Sequence, residues 1–122
     1  MKKSVLVVED DSGIRGFLKV FLEAEGMEFH ESWTIDDALA KCAAQRFNLL
    51  MLDYNLSGNE VGWSIAREIR SNPSRYGSPK IIGISGTVQL DAVQSLGFAT
   101  KHFDSFLQKP FDLKQLRNEV TV

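Results

Sequence analysis

Acidic residues directly follow two apolar runs of this 122-residue chain. Glu9, Asp10 and Asp11 come after the first run, and Asp53 comes after the second. If the two runs form strands of one parallel sheet, these carboxylates meet at the sheet edge where open α/β sheets bind ligands. Such a cluster is costly unless a cation neutralises it. Carboxylate oxygens are hard ligands that suit Mg²⁺, with Mn²⁺ as an alternative ion.

A serine and a lysine are placed to complete this site. Ser85 follows a third apolar run at 81–84, and Lys109 follows the short segment 106–107. A carboxylate held by a metal ion and a lysine can act as a nucleophile, including toward phosphorus. A phosphoryl group needs the same cations to offset its charge. The residues therefore predict a Mg²⁺-dependent aspartyl-phosphate site on Asp53.

Short apolar runs alternate along the chain with segments of helical periodicity, which indicates βα units and a parallel sheet. The pattern predicts five strands, at 5–8, 28–32, 49–52, 81–84 and 106–107. It also predicts five helices: one capped by Ser12 and closed by Gly26, one capped by Thr34, one that carries Ile65 and Ile69, one within 88–96, and one after Pro110.

The polarity of the strands predicts their order in the sheet. The first, third and fourth strands are apolar throughout, as expected of parallel strands buried on both faces. The second and fifth strands are mixed, which suits the edges of a sheet. The predicted fold class is α/β, a three-layer α/β/α domain with a five-stranded parallel sheet in the order 2-1-3-4-5 and five flanking helices.

The composition excludes several other kinds of protein. The length fits one domain over residues 1–122, and the 43% hydrophobic and 25% charged residues match a globular chain. A single cysteine and two histidines rule out a disulfide framework and a Cys-based or multi-His metal centre. The formal net charge of −2 argues against direct nucleic-acid binding. No apolar run approaches the length that spans a membrane, so we expect a cytoplasmic protein.

Four motifs, in this order along the chain, resemble those of the receiver domain of two-component response regulators. They are Val5-Leu6-Val7-Val8-Glu9-Asp10-Asp11, Leu50-Met51-Leu52-Asp53, Ile84-Ser85-Gly86 and Lys109-Pro110-Phe111. The resemblance covers essentially the whole chain. It implies that Asp53 is the phosphoacceptor, that Glu9 and Asp10 hold Mg²⁺, and that Asn55 offers its backbone carbonyl to the same ion.

The resemblance also implies roles for the residues around the phosphoryl group. The hydroxyl of Ser85 matches the one that moves to contact the phosphoryl group, and Lys109 matches the basic residue that pairs with it. Phe106 matches the aromatic switch position, which reorients when the hydroxyl moves. Pro110 matches a proline that follows the lysine through a cis peptide bond.

The function that the resemblance implies is signal transduction in a His-Asp phosphorelay. A histidine kinase or phosphotransfer protein donates the phosphoryl group to the acceptor aspartate. The domain then switches conformation to control a partner or an output domain, and a homodimer formed on phosphorylation is one such output. The only catalysis implied is phosphorylation from the donor and self-dephosphorylation with water as acceptor, so the chain is not expected to be an enzyme in the usual sense.

The sequence departs from the usual family pattern at three places. Ser57 stands where the family usually has proline, in a loop at 57–62 that is one residue longer than the common form. The segment 98–104 replaces a common Gly-Ala pair before the fifth strand. Phe106 lacks the hydroxyl of the tyrosine often found at the switch position.

Three other functions are kept as alternatives. A Mg²⁺-dependent phosphohydrolase with an aspartyl nucleophile usually has a second aspartate two residues after the first, where this chain has Asn55. A flavodoxin-like nucleotide or flavin binder needs a phosphate-cradling loop after the first strand, where the three acidic residues would repel phosphate. A degenerate receiver would act only as a protein-interaction module.

Overall fold

The computed structural model describes residues 2–54, 62–86 and 102–121. The strands within these ranges are β1 (Ser4–Val8), β2 (Glu28–Ser32), β3 (Leu49–Asp53), β4 (Lys80–Ser85) and β5 (Ser105–Gln108). The helices are α1 (Ser12–Ala24), α2 (Ile35–Ala44), α3 (Gly62–Ser71), α4 (Pro73–Tyr76) and α5 (Leu113–Val120). The helix predicted within 88–96 lies outside the described residues.

The five strands form one parallel sheet in the order β2-β1-β3-β4-β5, which confirms the predicted order. The central strands β1 and β3 are buried at every position, whereas β2 is exposed or half-buried at four of its five positions. Register places Val8 opposite Leu52, and Asp53 opposite Ile84. The residues that follow β1 and β3 therefore leave the sheet at the same edge.

Two apolar clusters, one on each face of the sheet, hold the three layers together. On one face, Leu18 and Leu22 of α1 and Leu116 of α5 pack against alternate strand residues such as Val5 and Val7. The other face carries α2, α3 and α4, with these buried residues from helices and strands: Ala38, Cys42, Ile65, Ile69, Tyr76, Leu6, Leu50 and Ile81. Alternate residues of each strand thus face opposite layers, as the pleat of a strand requires.

Helix α1 begins with an aspartate cap next to the acidic loop. Asp11 has an extended backbone, and its Oδ1 accepts a hydrogen bond from the Ile14 amide at 3.0 Å. The prediction of Ser12 as the cap is therefore wrong by one residue, since Ser12 already lies in the helix. Gly26 has a φ of 83° and closes the helix in the left-handed region, as predicted.

Two further helix predictions can be compared with the structure. The hydroxyl of Thr34 accepts a hydrogen bond from the Asp37 amide at 3.2 Å, which confirms the predicted cap of α2. The single-turn helix α4 was not predicted, because four residues are too few to show helical periodicity. Proline suits the first turn of a helix, where its missing amide proton is not needed. Among the described helices, none combines the length and apolar character that crossing a bilayer requires.

Candidate functional site

Three carboxylates meet at the carboxyl edge of the sheet. Glu9 and Asp10 directly follow β1, and Asp53 is the last residue of the neighbouring strand β3. One oxygen from each of the three side chains lies within 4.8 Å of the others. Glu9 is fully buried and Asp53 is buried, whereas Asp10 is exposed. This set of hard oxygen donors fits a divalent cation, because each carboxylate can contribute a ligand from one open side.

Lys109 is the basic residue of this carboxylate cluster. Its Nζ lies 2.8 Å from Oε2 of Glu9 and 3.7 Å from Oδ2 of Asp53. The amide of Lys109 donates to the carbonyl oxygen of Ser85 at 2.8 Å, which ties the end of β5 to the end of β4. The Lys109–Pro110 peptide bond is cis, as the resemblance implies.

The carboxylate cluster changes the pKa of Glu9. The pKa of Glu9 is raised from 4.5 to about 7, chiefly by burial and also by the negative charge of Asp53. The Lys109 ammonium and the Asp11 amide act in the opposite direction, since both donate to the Glu9 carboxylate. Among the described residues, the Lys109 ammonium pairs with Glu9 and Asp53 of the three carboxylates, so added positive charge would stabilise the ionised cluster. A cation bound to these carboxylates would lower the pKa of Glu9 and favour its ionised form.

Ser85 lies at the end of β4 and Phe106 lies within β5, the two strands that come after β3 in the sheet. Ser85 is fully buried at the end of β4, one residue after the register partner of Asp53. Phe106 is buried and lies opposite Gly83 in the register of the two strands. The structure therefore brings the predicted hydroxyl and the predicted switch residue to the strand ends that carry Asp53 and Lys109.

Phe106 belongs to an aromatic cluster formed by Tyr54, Trp63, Phe103 and Phe106. The rings of Phe103 and Phe106 have centroids 4.7 Å apart, and Tyr54 lies 6.3 Å from each of them. Gly83 makes room for this packing, because a Cβ at that position would lie 2.4 Å from a ring carbon of Phe106. Sequence analysis missed this cluster, and a glycine within an apolar strand was the signal for it.

Part of the predicted site falls outside the described residues. These predictions concern Asn55, Ser57 with its loop, and the atypical residues 98–101. Residues 102–104 of the atypical segment are described. Phe103 packs on Phe106, and Asp104 accepts hydrogen bonds from Arg70 at 2.6 Å and from the Ile81 amide at 2.7 Å. This segment therefore braces the start of β4, a role that sequence analysis did not assign.

Comparison with known proteins identifies the family. The family model described as the response regulator receiver domain matches residues 5–121. This chain belongs to the response regulator receiver domain family. The resemblance drawn from the four motifs is thereby confirmed, and the function is that of a receiver domain in two-component signal transduction.

The relatives of this receiver domain include a transcriptional regulator. The KDP operon transcriptional regulatory protein KdpE of Escherichia coli (strain K12) is 29% identical over 119 residues, which cover 98% of this chain and 50% of KdpE. The chain spans about half the length of the first curated relatives that it matches. The similarity thus concerns the receiver portion of those proteins.

Solved structures share the fold of this receiver domain. A response regulator from Chloroflexus aurantiacus J-10-fl superposes with a TM-score of 0.84 at 22% identity, over 98% of this chain and 95% of that chain. TrrA from Thermotoga maritima, solved in complex with Mg(2+)-BeF, has a TM-score of 0.81 and 29% identity, over 97% of this chain and 96% of that chain.

Proposed function

We propose that this receiver domain accepts a phosphoryl group on Asp53 in a Mg²⁺-dependent reaction. The observation that carries the proposal is the position of this carboxylate. Asp53 lies at the end of β3, 3.7 Å from the Lys109 ammonium and within reach of the same cation as Glu9 and Asp10. A relative of similar fold whose structure contains Mg(2+)-BeF supports the choice of ion.

The residues of the chain have separate tasks in this reaction. An oxygen of Asp53 attacks phosphorus while the phosphorus–nitrogen bond of a donor phosphohistidine breaks, and the electron pair of that bond stays on the imidazole nitrogen. Lys109 offsets the charge of the phosphoryl oxygens, and the Ser85 hydroxyl donates a hydrogen bond to one of them. Mg²⁺ or Mn²⁺, held by Glu9, Asp10, Asp53 and the Asn55 carbonyl, supplies further positive charge when bound.

A groove beside the site supports a protein as the phosphoryl donor. The groove has a volume of about 740 Å³ and runs from Lys109 along α1, between Ile14, Phe17 and Phe111. Phe17 is 43% exposed, and its ring stacks on that of Phe111 with centroids 6.0 Å apart. An apolar rim next to a phosphoacceptor suits the surface of a histidine kinase or phosphotransfer protein, which must bring its histidine to Asp53.

Phosphorylation is proposed to act through Ser85 and the aromatic cluster. When the Ser85 hydroxyl moves toward the phosphoryl group, the packing between β4 and β5 changes. Phe106, which lies opposite Gly83 two residues before Ser85, is the side chain that reorients. Phe106 carries no hydroxyl, so the change is one of packing against Tyr54, Phe103 and Trp63. The output is contact with a partner protein or a second copy of the domain.

Beryllofluoride, which mimics a phosphoryl group on aspartate, tests the proposed function. Wild type and Asp53→Asn are titrated with beryllofluoride in the presence of Mg²⁺, and molecular mass and tryptophan fluorescence are recorded. Loss of the fluorescence change in Trp63→Phe assigns that change to Trp63, a member of the aromatic cluster. We expect one saturable event per chain in the wild type and none in Asp53→Asn.

Each outcome of this titration has a defined meaning. A change of mass from monomer to dimer indicates output through a second copy, and a fluorescence change without a mass change indicates output through another protein. A wild type that responds in neither signal contradicts the proposed function and favours a degenerate receiver.

A further inference from the structure

One arginine of α1 joins the acidic loop after β1 to the end of β2. Arg15 Nη1 donates to the backbone carbonyl of Glu9 at 2.7 Å, and its Nε donates to the Glu31 carboxylate at 2.7 Å. The guanidinium carbon lies 4.5 Å from the ring centroid of Trp33. The side chain is only 13% exposed. A planar guanidinium can donate in its plane and stack on a ring through its face, and Arg15 does both.

The backbone of Glu9 is held from its other side by β2. The Glu9 amide donates to the carbonyl oxygen of Ser32 at 3.0 Å. The Ser32 hydroxyl in turn donates to Asp37 of α2 at 2.7 Å, so the end of β2 is itself anchored. The amide of Glu9 is therefore fixed by β2 and its carbonyl by Arg15. Both backbone groups of this carboxylate residue have rigid partners.

The residues that follow β1, Glu9 and Asp10, need such support because their carboxylates repel one another and that of Asp53. Glu9 is buried and Asp10 is exposed, so the direction in which the Asp10 carboxylate points depends on the peptide that precedes it. Mutation of a residue that hydrogen-bonds to a metal ligand and orients it typically lowers metal affinity about 10- to 100-fold. The Arg15 guanidinium donates to the Glu9 carbonyl, which belongs to the peptide that connects Glu9 to Asp10.

We propose that Arg15, oriented by Glu31 and Trp33, is a positioning residue that sets the divalent-cation affinity of the site by fixing the peptide between Glu9 and Asp10. The inference rests on the proposed function, because it takes these carboxylates to be the ligands of the cation. It also gives a role to Trp33, a tryptophan that is 51% exposed. The ring of Trp33 covers one face of the guanidinium and limits its rotation.

Isothermal titration with Mg²⁺ tests this role without any phosphoryl donor. The variants are Arg15→Met, which removes the donors, and Arg15→Lys, which keeps the charge but cannot reach both acceptors. Lys19→Met is the matched control, since Lys19 lies one turn further along α1 in an exposed pair with Glu23. Ile69→Val is the control for stability, because it loosens the core on the opposite face of the sheet.

We expect the dissociation constant for Mg²⁺ to rise about tenfold in Arg15→Met and to rise by a smaller factor in Arg15→Lys. Both controls should stay within about twofold of wild type, as expected of changes without contact to the metal ligands. If Arg15→Met does not fold, Arg15→Lys decides the matter by the same comparison.

Two results would overturn the inference, and they differ from a failure of the proposed function. An affinity in the Arg15 variants equal to that of wild type shows that the arginine does not position the ligands. A loss of Mg²⁺ affinity in Ile69→Val equal to that in Arg15→Met shows that the effect comes from reduced stability of the fold. A wild type that binds no Mg²⁺ removes the proposed function itself, and the inference falls with it.

Discussion

Replacing Gly83 by alanine perturbs the aromatic cluster at one defined point. The new methyl carbon would lie 2.4 and 2.5 Å from two ring carbons of Phe106 and 3.1 Å from Phe103. Carbon atoms pack best at about 3.5–4.0 Å, so the Phe106 ring must move by about 1 Å or more. Phe103 limits the space beside this ring, because the centroids of the two rings are 4.7 Å apart. We therefore expect the ring to turn toward solvent.

The magnitude follows from the burial of this ring. Moving a buried phenylalanine side chain into water costs about 1.5–3 kcal/mol. Alanine in a strand regains about 0.5–1 kcal/mol relative to glycine, because it restricts the unfolded chain. The free energy of unfolding of Gly83→Ala should therefore fall by about 1–2 kcal/mol, which lowers the Tm by about 4–8 °C for a domain of this size.

A double-mutant cycle in urea separates this clash from other effects of the substitution. In a Phe106→Ala background the ring is gone, so Gly83→Ala should be neutral or slightly stabilising. The coupling free energy between the two sites should then reach about 1.5 kcal/mol, within the range for residues in contact. Additive effects in the two backgrounds would refute the reasoning, because they would mean that the methyl group does not meet the Phe106 ring.

Two further substitutions test the electrostatics of the site and the bracing of β4. Because the folded-state pKa of Glu9, about 7, lies above its ordinary value of 4.5, the free energy of unfolding without metal should fall as the pH rises from about 5 to 7. Glu9→Gln should flatten this decline, as measured by urea unfolding without Mg²⁺, and an unchanged slope would contradict the assignment. Asp104→Ala should cost about 1.5–3 kcal/mol because the Ile81 amide and Arg70 lose their acceptor, whereas Asp104→Asn, which can still accept from that amide, should cost less in thermal unfolding. An equal loss of stability in Asp104→Ala and Asp104→Asn would show that only the ion pair with Arg70 contributes.

The positions of the strands could be predicted because burial on both faces leaves a direct mark in the sequence. Residues 5–8 of β1 and 49–52 of β3 each face one of two apolar layers, so these runs contain no polar residue until the sheet edge is reached. The polar residue that ends each run then marks the carboxyl edge, which is why Glu9, Asp53 and Ser85 could be placed together. Lys109 follows from the same reasoning applied to β5.

Local signals left some boundaries open. Asp11 and Ser12 both have side chains that can cap a helix, and the choice between them depends on which backbone is extended when α1 docks on the sheet. The turn of helix at Pro73 has too few residues to show a periodic pattern. Both errors are of one turn or less, since helix ends are set by small energy differences.

The sequence by itself determined which strands lie inside the sheet, which suit its edges and which residue types gather at its carboxyl edge, because hydrophobic periodicity and strand ends are local properties of the chain. Only the tertiary structure decided that Arg15 reaches Glu31, that Phe106 packs over Gly83, and that burial raises the pKa of Glu9. Those contacts join residues that are remote in sequence, and they depend on register and packing between elements. Side-chain contacts of that kind carry no periodic signal in the sequence.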